Sequence, residues 1–192
     1  VREFREKVIR SASLFNYLSL LGGSLGERKE FASIHEIIDM FSLDRAGKSG
    51  AIFDEDKLKW LNAMYIRDCD IESLTELLQP FIEEAGYDLN SMSSSWVHRV
   101  VDAVKDNIVT LTDIGNYLDM FVDEKYRITE EAAGILQENT AAAVLKALRE
   151  ALTKTNISHE PFYSDLINAV REKTGLKTKK VFMPIRAAIT GR

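Results

Sequence analysis

The 192-residue sequence predicts an all-α protein, with helices packed in series. Three observations carry that reading. Apolar residues recur at three- and four-residue spacings nearly from end to end. No segment alternates apolar and polar residues as a half-buried strand does. Only 3 prolines and 10 glycines punctuate the chain, too few for a turn-dense β architecture. A hydrophobic content of 45% beside 29% charged residues suits a globular protein long enough to bury one domain or two small ones.

The elements follow in order. Leu14, Tyr17, Leu18 and Leu21 predict a first helix, stopped by Gly22-Gly23. Ile34, Ile37, Ile38 and Phe41 predict a second with one apolar face. Asp54 is expected to cap a third helix, where Glu55 and Asp56 favour the positive end of the dipole and Leu58, Leu61 and Tyr65 face inward. Ser73 and Glu76 have capping-box spacing for a stripe of Ile71, Leu74, Leu78 and Phe81, which Pro80 is expected to kink or end before Gly86. Val97, Val100, Val101, Val104 and Ile108 form the cleanest helical stripe. Thr110 or Thr112 is expected to cap the next helix, with Ile114, Leu118 and Phe121 inward. Ala141 to Leu152 predicts another, through Val144, Leu145, Leu148 and Leu152. Pro161 suits a first helical position ahead of Phe162, Leu166, Ile167 and Val170, and Gly175 closes that helix. Pro184 is expected to open a short last helix through Ile185 and Ile189. Trp60 and Trp96 neighbour helix stripes and are expected in the core. Breaks near Cys69-Asp70 and between Phe121 and Ile128 mark candidate boundaries, and no repeat has a fixed period.

Chemistry contained in the chain is poorly supported. Gly47-Lys48-Ser49 ends like a phosphate-gripping Walker loop, but Ser42 stands where its first glycine belongs, and a helical pattern precedes it where a strand is required. A turn between helices is the better reading. His35, His98 and His159 lack partners at metal-ligand spacing, and Cys69 lacks a second cysteine. Adjacent carboxylates such as Glu83-Glu84 and Glu130-Glu131 point to different helix faces. No GxSxG or HExxH occurs, and no apolar run reaches membrane-spanning length.

Charge is the informative feature. The net charge is −5, yet Arg171, Lys173, Lys177, Lys179, Lys180, Arg186 and Arg192 face only Glu172 at the far end, a local +6 that leaves −11 for the first 170 residues. Such asymmetry suits a nucleic-acid contact confined to one end; a solvated basic terminus explains it equally well. Within "KTKKVFMPIRAAITGR", Arg186 would sit in the first turn of a helix whose free N–H groups meet phosphates, and its flat guanidinium would stack on a splayed base. The alternative is an amphipathic tail with Phe182 buried, or more broadly a helical protein–protein interaction module.

The quoted runs "FREK", "LFNYLSLLG", "FSLDRAGKSGAIFDEDKLKWLNAMYIR", "LDMFVDEKYRITEEA" and "KKVFMPIRAAITG" resemble the carboxy-terminal half of bacterial-type glutamyl-tRNA synthetases, class I ligases that attach glutamate to tRNA. The resemblance covers almost the whole chain and implies a stem-contact helical segment over residues 1–69. It implies anticodon-binding subdomains over 70–119 and 120–192, the second truncated at its end. A chain that opens on Val1 and stops at Arg192 is then expected to be part of a longer, cytoplasmic protein. The amino-terminal catalytic domain, which uses ATP and Mg, would lie outside it, and this chain alone would bind tRNA without charging it and hold no cofactor. Arg186 in "MPIR" matches a family arginine that contacts an anticodon base, and Lys179 and Lys180 flank it. "VKDNIVTL" matches the segment that reads the third anticodon base, where some members carry an arginine; this chain has Asn107 there, beside Lys105. Neutral Asn107 lacks the charged fork, so the glutamine-specific tRNA joins the glutamate-specific one as a candidate partner. Ile9-Arg10-Ser11-Ala12 also departs from the family's usual Leu-Pro-Glu-Ala type.

Overall fold

The computed structural model describes residues 9–23, 29–42, 50–154 and 162–192. The expected turn at Gly47-Lys48-Ser49, the helix start at Pro161, His159 and the "FREK" run lie outside them. Among the described residues the architecture is helical, and contacts divide the chain into two compact units, Val1–Leu118 and Asp119–Arg192.

The first unit contains α1 (Ser11–Gly22), α2 (Ile34–Met40), α3 (Glu55–Arg67), α4 (Ile71–Glu84) and α5 (Ser94–Val104), followed by 3₁₀ turns over Lys105–Asn107 and Leu111–Asn116. α1 packs on α3 through Leu14, Tyr17, Leu58 and Leu61, with Leu20, Leu21 and Phe31 at the margin. Burying each such side chain stabilises the fold by roughly 1.5–3 kcal/mol. Polar groups inside this seam are all matched. The Tyr17 hydroxyl accepts from the Asp54 N–H at 2.5 Å, and the Asp54 carboxylate caps α3 by accepting from the Lys57 N–H at 3.0 Å. Fully buried Asn16 accepts from the Ala32 N–H (3.2 Å) and donates to the Glu30 carbonyl (3.1 Å), which ties the chain before α2 to α1. The Tyr65 hydroxyl donates to the Ala32 carbonyl at 2.5 Å, and burial raises its phenol pKa.

Several local expectations are corrected. α4 begins after Asp70, whose carboxylate accepts from the Ser73 N–H at 2.9 Å, so Asp70 rather than Ser73 is the cap. That helix continues past Pro80 to Glu84, because Leu74, Leu78 and Ile82 are all buried along one face and outweigh one lost backbone bond. Of the α2 stripe only Ile37 is buried, while Ile34, Ile38 and Phe41 are exposed, as is Leu18 of α1. Trp60 is 44% exposed and lies outside the core, and Trp96 is half-buried. Thr110 does cap with Asp113, but the following residues form 3₁₀ turns instead of an α-helix.

At α2, Ser33 and Glu36 form a reciprocal capping box, and Glu36 also meets Lys29 at 2.7 Å. The Lys29 hydrogen bond, with help from the Ser33 N–H and hydroxyl, lowers the Glu36 pKa from 4.5 to about 2. A depressed carboxylate contributes stability that is present above its unfolded pKa and lost as pH falls through the folded one. The α2 cap is therefore expected to persist at pH 4.5 and to release towards pH 2. A carbonyl-detected NMR titration of Glu36 checks this; a midpoint near 4.5 would disprove the box in solution.

A 3₁₀ turn at Leu118–Phe121 spans the boundary, and the second unit then holds α6 (Glu130–Leu136), α7 (Ala141–Leu152), α8 (Phe162–Thr174) and α9 (Thr178–Thr190). α6, capped by the Thr129 hydroxyl at the Ala132 N–H (3.2 Å), was not anticipated, since its short Ala- and Gly-rich run has little periodicity. Val144, Ala147 and Leu148 of α7, Leu166, Ile167 and Val170 of α8, and Val181 and Ile185 of α9 form one buried cluster. Gly175, at φ 67°, supplies the left-handed turn between α8 and α9.

Candidate nucleic-acid interface

α9 decides how the basic end is displayed. It starts at Thr178, six residues before the expected start at Pro184. Pro184 is itself buried within the helix, where its ring joins the apolar side and its missing N–H leaves the Lys180 carbonyl without an intrahelical partner. Arg186 consequently lies deep in the helix, not in its first turn, and the free N–H groups of the helix start are those of Thr178 and Lys179, since the Lys180 N–H donates to the Lys177 carbonyl at 2.9 Å. Lys177, at the cap position, supplies no side-chain acceptor to those groups.

The buried residues Val181, Pro184, Ile185 and Ala187 occupy one side of α9. With successive residues about 100° apart, Lys179, Phe182, Arg186 and Ile189 stack along the other side, and all four are exposed. Lys180 is exposed on the adjoining flank. The helix sequence contains no acid. Among the described residues the side chains of Lys179, Lys180 and Arg186 make no ion pair or hydrogen bond, so their donors face solvent. Two other cations of this unit are engaged: Lys173 pairs with Glu150, and Arg192 with Asp119 at 2.7 Å. At the rim of the core, Phe182 meets Tyr163 of α8 edge-to-face, with ring centroids 6.5 Å apart.

The far end of α9 is clamped to the start of its unit. Tyr126 donates its hydroxyl to the Ala188 carbonyl at 2.8 Å. The Gly191 carbonyl accepts from both the N–H and the hydroxyl of Thr129 at 2.9 Å. Gly191 has φ 71°, and a Cβ there would sit 2.0 Å from the Arg127 carbonyl oxygen.

Lys105 and Asn107 belong to the other unit and differ in character. Lys105 turns back on Asp102 at 2.7 Å, and that hydrogen bond raises its pKa above the ordinary lysine value. Asn107 is exposed, and its carbonyl accepts from the Tyr117 hydroxyl at 3.2 Å. A cation that the sequence did not single out lies next to it: Arg67, at the end of α3, donates to the Asp106 carbonyl at 3.0 Å. From beneath, fully buried Asn62 donates to the Val109 carbonyl at 2.6 Å, while Asp113 accepts from the Val109 and Thr110 N–H groups at 2.9 and 2.8 Å. The 105–111 segment is thereby held on both sides. Arg67 and Asn62 are some forty residues from the loop they serve, a distance that local pattern cannot bridge.

Residues 73–192 match the family model described as the anticodon binding domain, and the chain belongs to that family. The particular relatives share one name. The chain is 53% identical over 191 residues to glutamate–tRNA ligase 2 of Syntrophus aciditrophicus, covering 100% of this chain and 39% of that protein. It is 37% identical to the glutamate–tRNA ligase of Desulforamulus reducens, covering 94% of this chain and 38% of the relative. The chain thus spans about two fifths of the length of the curated relatives it matches. In fold it is similar to the glutamate-tRNA synthetase of Elizabethkingia anophelis, at a TM-score of 0.72 and 25% identity over 98% of this chain and 36% of that one.

Proposed function

We propose that this chain is the RNA-recognition part of a glutamate–tRNA ligase and binds the anticodon stem-loop of a glutamate-specific tRNA. One observation carries the reading: in a member of the anticodon-binding family, α9 presents Lys179 and Arg186 on one solvent face with no acid on the helix. Phosphates would engage the lysines and the helix start, and Arg186 would stack on and hydrogen-bond a splayed base. Within this reading residues 1–69 contact the tRNA stem, while 70–119 and 120–192 are the anticodon-binding pieces. Lys105 and Asn107 border the third anticodon base, with Lys105 orienting the segment through Asp102 more than gripping phosphate. A neutral Asn107 supports tolerance of the glutamine-specific tRNA at that position. The proposal assigns ATP and Mg, and the charging reaction, to the remainder of the parent protein. A helical protein-interaction module has no comparable support, since it accounts for neither the family match nor the charge on α9.

Arg186→Ala is expected to weaken binding of a glutamate anticodon stem-loop by about 1–3 kcal/mol, the worth of one base-stacking contact. Titrations of wild type and variant at one salt concentration check this, and equal affinities would remove Arg186 from the site. Wild-type affinity is also expected to fall as salt rises, through counterion release. An affinity indifferent to salt, or equal for an unrelated hairpin, would overturn the functional reading.

A further inference from the structure

We infer that the Tyr163–Phe182 pair is a second base-stacking subsite, receiving one unpaired nucleobase beside the base held by Arg186. The inference rests on the functional reading above. Tyr163 is 52% exposed and Phe182 40% exposed, an unusual display for two rings that meet at the edge of a buried core. Both rings are seated beside buried residues. Tyr163 lies at the start of the α8 stripe that continues into buried Leu166, Ile167 and Val170, and Phe182 follows buried Val181 on α9. The rings cross at 83°, so the partner covers a face of only one of them, and both side chains keep surface exposed to solvent.

The surroundings choose the ligand class. Phe182 lies between Lys179 and Arg186 on successive turns of one face. An apolar protein surface laid over the rings would have to desolvate those cations, at a cost that rises sharply without a partner charge. A single-stranded nucleotide brings an aromatic face for the rings and phosphates for the cations at once. The nearest acid on α8, Asp165, is about 200° around that helix from Tyr163 and does not oppose this. The Tyr163 hydroxyl, a phenol that is neutral near pH 7, can donate to a base edge.

The test uses the 192-residue chain and a glutamate anticodon stem-loop carrying 2-aminopurine at successive loop positions. Phe182→Leu and Tyr163→Leu keep apolar bulk but remove the rings, and each is expected to weaken binding about 5- to 100-fold. At one loop position the fluorescence quenching seen with wild type should disappear in Phe182→Leu and return in Phe182→Trp. Leucine variants that bind within twofold of wild type while Arg186→Ala fails would overturn the subsite and leave the functional reading intact. A tryptophan variant as weak as leucine would likewise overturn it, since the ring would then matter only for packing. Failure of wild type to prefer this hairpin over an unrelated one would sink the functional reading and the subsite with it.

Discussion

Gly191→Ala is expected to destabilise the second unit by about 2–5 kcal/mol. Two costs add. A residue with a side chain resists the left-handed conformation at φ 71°, at about 1–2 kcal/mol. The new methyl would also lie 2.0 Å from the Arg127 carbonyl oxygen and 3.1 Å from its carbon. These are backbone atoms, so relief requires moving α9 away from residues 126–129, at about 1–3 kcal/mol. Such movement would break the bonds from Thr129 to the Gly191 carbonyl and from Tyr126 to the Ala188 carbonyl. Gly134→Ala is the matched control. It sits within α6 with open space around its would-be Cβ, and gains about 0.5–1 kcal/mol from helix propensity. Denaturant unfolding followed by hydrogen exchange of α9 amides reports on the right unit. Equal stability of Gly191→Ala and wild type would show that the clamp does not form.

Asn62→Leu is expected to cost the first unit about 2–4 kcal/mol, although leucine is more apolar and of similar size. Asn62 is fully buried in α3. Its side-chain oxygen accepts from the Arg10 N–H at 2.8 Å and lies 2.9 Å from the Ser13 hydroxyl, which also reaches the Arg10 carbonyl at 2.7 Å. Its amide donates to the Val109 carbonyl. Leucine would strand the Arg10 donor and the Val109 acceptor together, and unmade buried bonds cost about 1–3 kcal/mol each. The 105–111 segment should loosen as well, visible as faster exchange of the Lys105 to Leu111 amides. A variant that kept full stability would mean that water replaces the asparagine.

Much of this molecule is written locally. The valine stripe of α5 is buried as its spacing implies, and Asp54 caps α3 as its position implies. The same local logic failed at both interior prolines. Pro80 and Pro184 lie within helices because each helix has an apolar face long enough to offset one missing backbone bond. Trp60 and the α2 stripe show the opposite failure, since period alone does not say whether anything packs against an apolar face.

For the candidate interface, the gathering of cations near Arg186 was legible because charge asymmetry is a property of composition. Which of those cations are free was not. Lys173 and Arg192 are matched with Glu150 and Asp119, whereas Lys179, Lys180 and Arg186 point to solvent. Tyr163 escaped notice because its meeting with Phe182 depends on how α8 crosses α9.

The sequence by itself determined the helical class, the core stripes and the basic character of one end, since periodicity and charge are read along a single chain. Only the tertiary structure decided which side of α9 is wet, which cations already have acidic partners, and what the Gly191 backbone and the Asn62 amide are held against. Those properties arise where segments distant in sequence approach within hydrogen-bonding or contact distance, and no local spacing encodes that approach.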